Sequence, residues 1–213
     1  QNCLIHYQES EFSQRIELET LSVSGLQSWD RDNITVVKTA LKIDEAPFQL
    51  DAQLRLFSPL KQFSGNTSLK KLALTPYVKF YRDYIDIKQG TVNVNSEFDI
   101  TLSHPILAKT SNEIQVDDFE AEYKQINQSV QKLRWQGSTE LSAQGEIAVK
   151  GELELVNNRT IDKKQDYLIT SFDRLKINGL EKNAHSINFA QLELANLHLI
   201  NKQEEKDFIA LDT

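Results

Sequence analysis

The stretch Val92-Asn-Val-Asn-Ser-Glu-Phe-Asp-Ile-Thr-Leu102 decides the fold class. Its even positions are apolar apart from Ser96, and its odd positions are polar. Alternation with period two sends the two sets of side chains to opposite faces of a β-strand, whereas an amphipathic helix needs apolar residues at spacings of three and four. A strand of that length runs about 35 Å, against roughly 17–20 Å for a common globular strand. Phe48-Gln-Leu-Asp-Ala-Gln-Leu-Arg-Leu56 repeats the pattern, again with its even positions apolar.

Elsewhere the alternation changes phase. Ile16 and Leu18 share one parity, then Leu21 and Val23 take the other. Leu168 and Phe172 give way to Leu175 and Ile177, and Ile187 and Phe189 to Leu192 and Leu194, then to Leu197 and Leu199. An uncorrected slip would turn every following apolar side chain toward solvent. Each slip therefore predicts a bulge, and bulges bend and twist a sheet. The expected strands are 3–8, 14–24, 34–43, 47–57, 68–75, 84–88, 90–103, 113–126, 130–136, 139–156, 166–178 and 186–200. Turn-forming residues place turns at 29–33, 64–66, 156–159 and 178–179.

A short helix is expected near 76–84. Thr75 can cap it and Pro76 suits its first position. Tyr77, Phe80, Tyr81 and Tyr84 then fall at i, i+3, i+4 and i+7, an aromatic face that would cap one end of the sheet. A second single turn at Ser58-Pro59 would bring Leu60 and Phe63 inward. The expected fold is mainly all-β: a long, strongly twisted antiparallel sheet curling into an elongated groove or half-pipe. Residues 1–103 form a first β-module, 104–200 a second continuing the same sheet, and 201–213 a polar tail. A short echo supports two modules, Leu21-Ser-Val-Ser-Gly-Leu26 against Leu175-Lys-Ile-Asn-Gly-Leu180.

Composition fits long strands, since 213 residues contain only seven Gly and four Pro. Twenty-four basic against 31 acidic residues, net charge −7, disfavour a nucleic-acid partner held by phosphate neutralisation. The single Cys3 cannot form an intrachain disulfide. No run of 18 apolar residues offers a membrane-spanning helix. The absence of Met leads us to expect a piece of a longer protein.

No catalytic, cofactor or metal motif emerges: there is no glycine-rich phosphate loop, no HExxH and no GxSxG. His6, His104, His185 and His198 show no metal-ligand spacing. Asp30-Arg-Asp-Asn33 lacks the glycine and the terminal glutamate of a calcium loop. Asp117-Asp118 would point to opposite faces of a regular strand, and only a bulge could bring them together. What remains is the apolar face. Phe48, Leu50, Leu54, Leu56, Val92, Val94, Phe98, Ile100 and Leu102 would line a groove, with Ile187, Phe189, Leu192 and Leu194 adding the far half. A closed sandwich would fill that space with its own side chains, and an open sheet would leave a trough for acyl chains. Periodicity is the same for both.

The order of the segments resembles a known family. Cys3-Leu-Ile-His-Tyr-Gln-Glu9, then Ile16-Glu-Leu-Glu-Thr-Leu-Ser-Val-Ser-Gly-Leu26, then the strand from Phe48 to Pro59 follow one another in this chain. Leu69-Lys-Lys-Leu-Ala-Leu-Thr-Pro-Tyr77 and Ile87-Lys-Gln-Gly-Thr-Val-Asn-Val94 supply a leucine strand, a Pro-Tyr helix start and a glycine that opens a new strand. In this order, residues 1–103 look like the AsmA-like, TamB-like superfamily of bacterial envelope proteins, in particular a group known only as a domain of unknown function. Gln8-Glu-Ser10 departs from the acidic residue with small neighbours usual there. The resemblance implies a fragment of the periplasmic part of a protein anchored in the inner membrane of a Gram-negative bacterium. Its role would be moving phospholipid acyl chains toward the outer membrane, with other segments of the full-length chain and envelope proteins as partners. No cofactor is implied.

Overall fold

Alternating sequence with few chain-breaking residues folds into long strands. The computed structural model describes residues 3–9, 12–80, 84–183, 185–201 and 206–211. Its strands are β1 (Cys3–Glu9), β2 (Phe12–Ser24), β3 (Thr35–Ile43), β4 (Ala46–Arg55), β5 (Lys61–Ala73), β6 (Asp86–Leu102), β7 (Leu107–Tyr123), β8 (Ile126–Leu141), β9 (Ile147–Asp162), β10 (Tyr167–Lys182), β11 (Ile187–Asn188), β12 (Gln191–Ala195), β13 (Leu197–Asn201) and β14 (Lys206–Leu211). One 3-10 helix covers Thr75–Phe80. All strands belong to one antiparallel sheet, in the order β1 to β10 and then β13 and β14, with β11 and β12 also pairing β10. The sheet is not closed into a barrel.

This is a single layer. Strands account for 76% of the structure, and among the described residues no second sheet or α-helix covers them. The accessible surface is 14129 Å², against about 10,000 Å² for a compact globule of this mass. Among the described residues the buried apolar side chains are Phe12, Ala46, Ala52, Ala121 and Val130. Even so, the two faces differ. Along β4, Phe48, Leu50 and Leu54 are half-buried and Ala46 and Ala52 buried, while Pro47, Gln49, Asp51, Gln53 and Arg55 are exposed. With no second layer among the described residues, the apolar face is still the more shielded of the two.

Bulges bend the sheet. The slip expected after Leu18 is a register shift between Leu18 and Thr20. The slips in β10 are shifts between Leu168 and Thr170 and between Ile177 and Leu180, plus Asp173, which is left out of the pairing opposite Asn157. From β6 to β10 the irregularities align. Gly90, Asp118, Gln131, Asn157 and Asp173 lie opposite one another in successive strands, and Asn196 continues the line between β12 and β13. Gly90, Asp118, Asn157 and Asn196 all have positive φ. Bulges at one height in consecutive strands make a crease across the sheet. Asp118, Gln131, Asn157 and Asp173 are exposed on its outer side. Beyond it, Ala121 (1% exposed), Val130 and Asn158 (both 5%) are buried, as a wall turned inward requires.

Several expected boundaries move. The segments 84–88 and 90–103 are one strand, β6, with Gly90 as an irregularity inside it. The turns expected at 64–66, 156–159 and 178–179 lie inside β5, β9 and β10. Asn157 (φ 51°) and Gly179 (φ 61°) are bulge residues, and bulges use the same left-handed residues as turns. The chain turns instead at Lys124-Gln125 and over Ser142 to Glu146. Residues 206–211 of the expected tail form β14. Ser58-Pro59 is a bend, with Leu60 exposed.

The helix near 76–84 is shorter and tighter than its aromatic spacing predicts. In a 3-10 helix residues i and i+3 align, so Tyr77 and Phe80 form the apolar edge. Both rings pack on Phe12, at 5.7 and 5.2 Å between centroids, and Tyr7 joins from 6.1 Å. Tyr84 lies past the helix and is 75% exposed. Tyr81 lies outside the described residues.

Candidate functional site

Register defines the apolar face row by row, because directly paired residues share a face. One row runs from β1 to β12: Cys3, Leu18, Leu41, Phe48, Leu69, Val94, Ile114, Trp135, Leu153, Ile177 and Leu192. At about 4.8 Å per strand it extends for roughly 50 Å. A second row, Leu72, Val92, Val116, Leu133, Leu155, Leu175 and Leu194, lies beside it. From β2 to β9 neither row contains an Asp, Glu, Lys, Arg or His. Most of these side chains are half-buried, and among the described residues no second sheet or α-helix lies over them.

The expected lining residues distribute over this face. Phe48, Val94 and Leu192 lie in the first row, and Val92 and Leu194 in the second. Leu54 and Ile100 flank Phe63, Phe98 pairs Gly65 beside Ala52, and Leu102 pairs Lys61. Leu50 faces Thr39 and Thr67, and Ile187 faces Lys182. Leu56 and Phe189 fall beyond the strand ends and take part in no register pair. The centre of this face, Ile114, Val116, Leu133, Trp135, Leu153, Leu155, Leu175 and Ile177, was not among the expected lining residues. Each of its strands alternates for only two apolar positions before the crease shifts the phase. The recurring signal is an apolar-x-apolar triplet followed within three residues by Asp, Asn or Gln on β7 and β9.

This face carries two polar breaks: one beyond the crease, where Gln128 Nε2 donates to Asn158 Oδ1 and Thr160 Oγ1 donates to Gln128 Oε1 at 2.7 Å, and one beside the first row. Thr67, Ser96, Asn112, Gly137 and Gly151 form a row next to the first one, and Thr110 and Thr139 lie one row further up. Ser96 Oγ donates to Asn112 Oδ1 at 2.6 Å, and Asn112 Nδ2 donates to Thr110 Oγ1 at 2.9 Å. A Cβ added at Gly137 or Gly151 would meet the Trp135 ring at 2.5 or 2.8 Å, so the indole lies across this glycine pair.

The 3-10 helix closes the rim over β2 to β4. Tyr77 OH accepts from Gln14 Nε2 at 2.9 Å and donates to Asp44 Oδ2 at 3.2 Å, tying the helix to β2 and to the β3–β4 turn. Burial is the main reason its phenol titrates above the ordinary value.

Charge occupies the opposite face. Arg134 pairs Glu113 and Arg174 pairs Glu154, both at 2.6 Å, and Lys42 pairs Glu19 at 2.8 Å. The Glu19 hydrogen bond raises the Lys42 pKa, and the Lys163 hydrogen bond lowers that of Glu122. The bulge at Asp118 does bring Asp117 and Asp118 to one shallow furrow, shared with Gln131, Lys132 and Val156. Among the described residues no three His, Cys, Asp or Glu gather as metal ligands. Cys3 is exposed and free on β1.

No helix among the described residues is long and apolar enough to cross a membrane. Comparison with family models, with curated proteins and with solved structures returns no match for this chain.

Proposed function

We propose that the chain is a non-catalytic, AsmA-like segment of a periplasmic envelope protein. Its apolar face carries phospholipid acyl chains between the inner and outer membranes. One observation supports this reading most: an unbroken apolar row from β1 to β12 that, among the described residues, no second layer covers. A soluble chain that leaves such a face open lowers its free energy by about 25 cal/mol for each Å² that hydrocarbon covers. The face offers no charge to repel an acyl chain along its two main rows, and the ion pairs keep the other side wetted. A spacer or docking module is the second reading. It is favoured by the β1 edge, where Leu4, Ile5 and Tyr7 are about half exposed and no Lys or Pro blocks strand addition.

The test is to incubate the purified chain with phosphatidylglycerol vesicles, re-isolate it, and look for bound lipid by native mass spectrometry. Bound lipid is expected. Val94→Asp should weaken binding at least fivefold while lowering stability by less than about 1.5 kcal/mol, because its site stays hydrated; a charge forced into a dry core costs several kcal/mol. Lipid-free protein, or a Val94→Asp chain that unfolds, would sink the open-trough reading.

A further inference from the structure

We propose that the polar break beside the first row is a station for the linkage region of an ester-linked, anionic amphiphile, whose tails lie on the neighbouring apolar rows and whose phosphate reaches Lys182. This rests on the trough reading above and adds the class of lipid and its orientation.

Hydrocarbon alone gives the break no purpose. A polar side chain on a face that hydrocarbon covers loses its water and needs another partner. Thr67, Ser96, Asn112, Thr110 and Thr139 cluster on adjacent strands, at the centre of the longest rows. The chain from Ser96 through Asn112 to Thr110 uses one hydrogen of each of the first two. The Thr110 hydroxyl and the second Asn112 N–H remain as donors. An ester carbonyl is an acceptor only, so it complements them.

The surroundings follow the order of such a lipid. On one side lie the two apolar rows, which would hold the tails. On the other, the row of Thr110 and Thr139 continues through Val149 to Lys182. Lys182 is exposed, and among the described residues no carboxylate pairs with it. It lies two strands from Thr139, about 10 Å, within reach of a glycerol phosphate extended by a lysine side chain. The paired Gly137 and Gly151 lower the floor beside Asn112, where Trp135 lines it.

The test compares two lipids that differ only in the linkage. Dimyristoyl phosphatidylglycerol and its dialkyl ether analogue are titrated against the whole chain, with diphenylhexatriene as a hydrocarbon probe. The ester lipid should bind five- to tenfold more tightly than the ether lipid. In Thr110→Val/Asn112→Val that preference should vanish while diphenylhexatriene binding is unchanged. Lys182→Gln should weaken both phospholipids about threefold and leave the probe alone. Equal binding of ester and ether lipids to the unaltered chain, with the probe bound, overturns this inference and leaves the trough intact. A preference that survives in the double variant also overturns it. Binding of neither lipid nor probe overturns the trough reading and this inference with it.

Discussion

The Tyr77 hydroxyl holds together three parts of the chain that are far apart in sequence: the 3-10 helix, Gln14 on β2 and Asp44 in the β3–β4 turn. Tyr77→Phe removes both hydrogen bonds and leaves the ring on Phe12, so a loss of about 1–2 kcal/mol is expected in urea unfolding. The phenol also makes stability depend on pH. Its pKa is raised in the folded state, chiefly by burial. Its contribution is therefore complete below the unfolded tyrosine pKa and is lost as pH rises through the higher folded value. Alkaline unfolding followed by circular dichroism should start at lower pH in Tyr77→Phe only to the extent of the lost bonds, and its tyrosinate absorbance should lack the late-titrating component. At Gly151 the issue is space, since an added Cβ would lie 2.5 Å from the Gln136 carbonyl and 2.8 Å from the Trp135 ring. Gly151→Val should cost more than about 2 kcal/mol, and Trp135 fluorescence should shift toward that of an exposed indole.

At the scale of the element, the crease decides the shape. Asp118, Asn157 and Asn196 sit at φ values near 50°, where Asp and Asn are tolerated and β-branched residues are strained. Side chains brace the line from outside: Asn157 Nδ2 donates to Gln131 Oε1, and Asn196 Nδ2 donates to Asp173 Oδ2 at 2.7 Å. Asp118→Val should lower stability by about 1–2 kcal/mol, whereas Asp118→Gly should be neutral or slightly stabilising. Thermal melts of the two variants check this. A regular strand would give the opposite ranking, because valine favours extended backbone and glycine weakens it. Phase slips in the sequence told that bulges exist. They did not tell that five of them line up, since alignment depends on the register between strands that are up to a hundred residues apart.

The molecule as a whole is an uncovered sheet, and its thermodynamics should show it. Starting from 14129 Å² of exposed surface, unfolding uncovers less new area than in a compact protein of equal mass. The urea m-value should be about 15% lower than that of such a protein. An m-value at or above the compact expectation would mean that the trough is closed in solution. The sequence by itself determined that the chain is β, that its strands are long, and that one face of each is apolar, because a side-chain period of two is a local property of extended backbone. It also placed a helical start at Thr75-Pro76, which the structure forms as a 3-10 helix over Thr75–Phe80. Only the tertiary structure decided that the apolar faces form continuous rows with no second layer among the described residues. It also showed that Asn157 and Gly179 bend strands rather than end them, and that Ser96, Asn112 and Thr110 meet. Those outcomes depend on which strands pair and in what register. The same alternation would have served a filled sandwich equally well, so local pattern could not choose between a core and a trough.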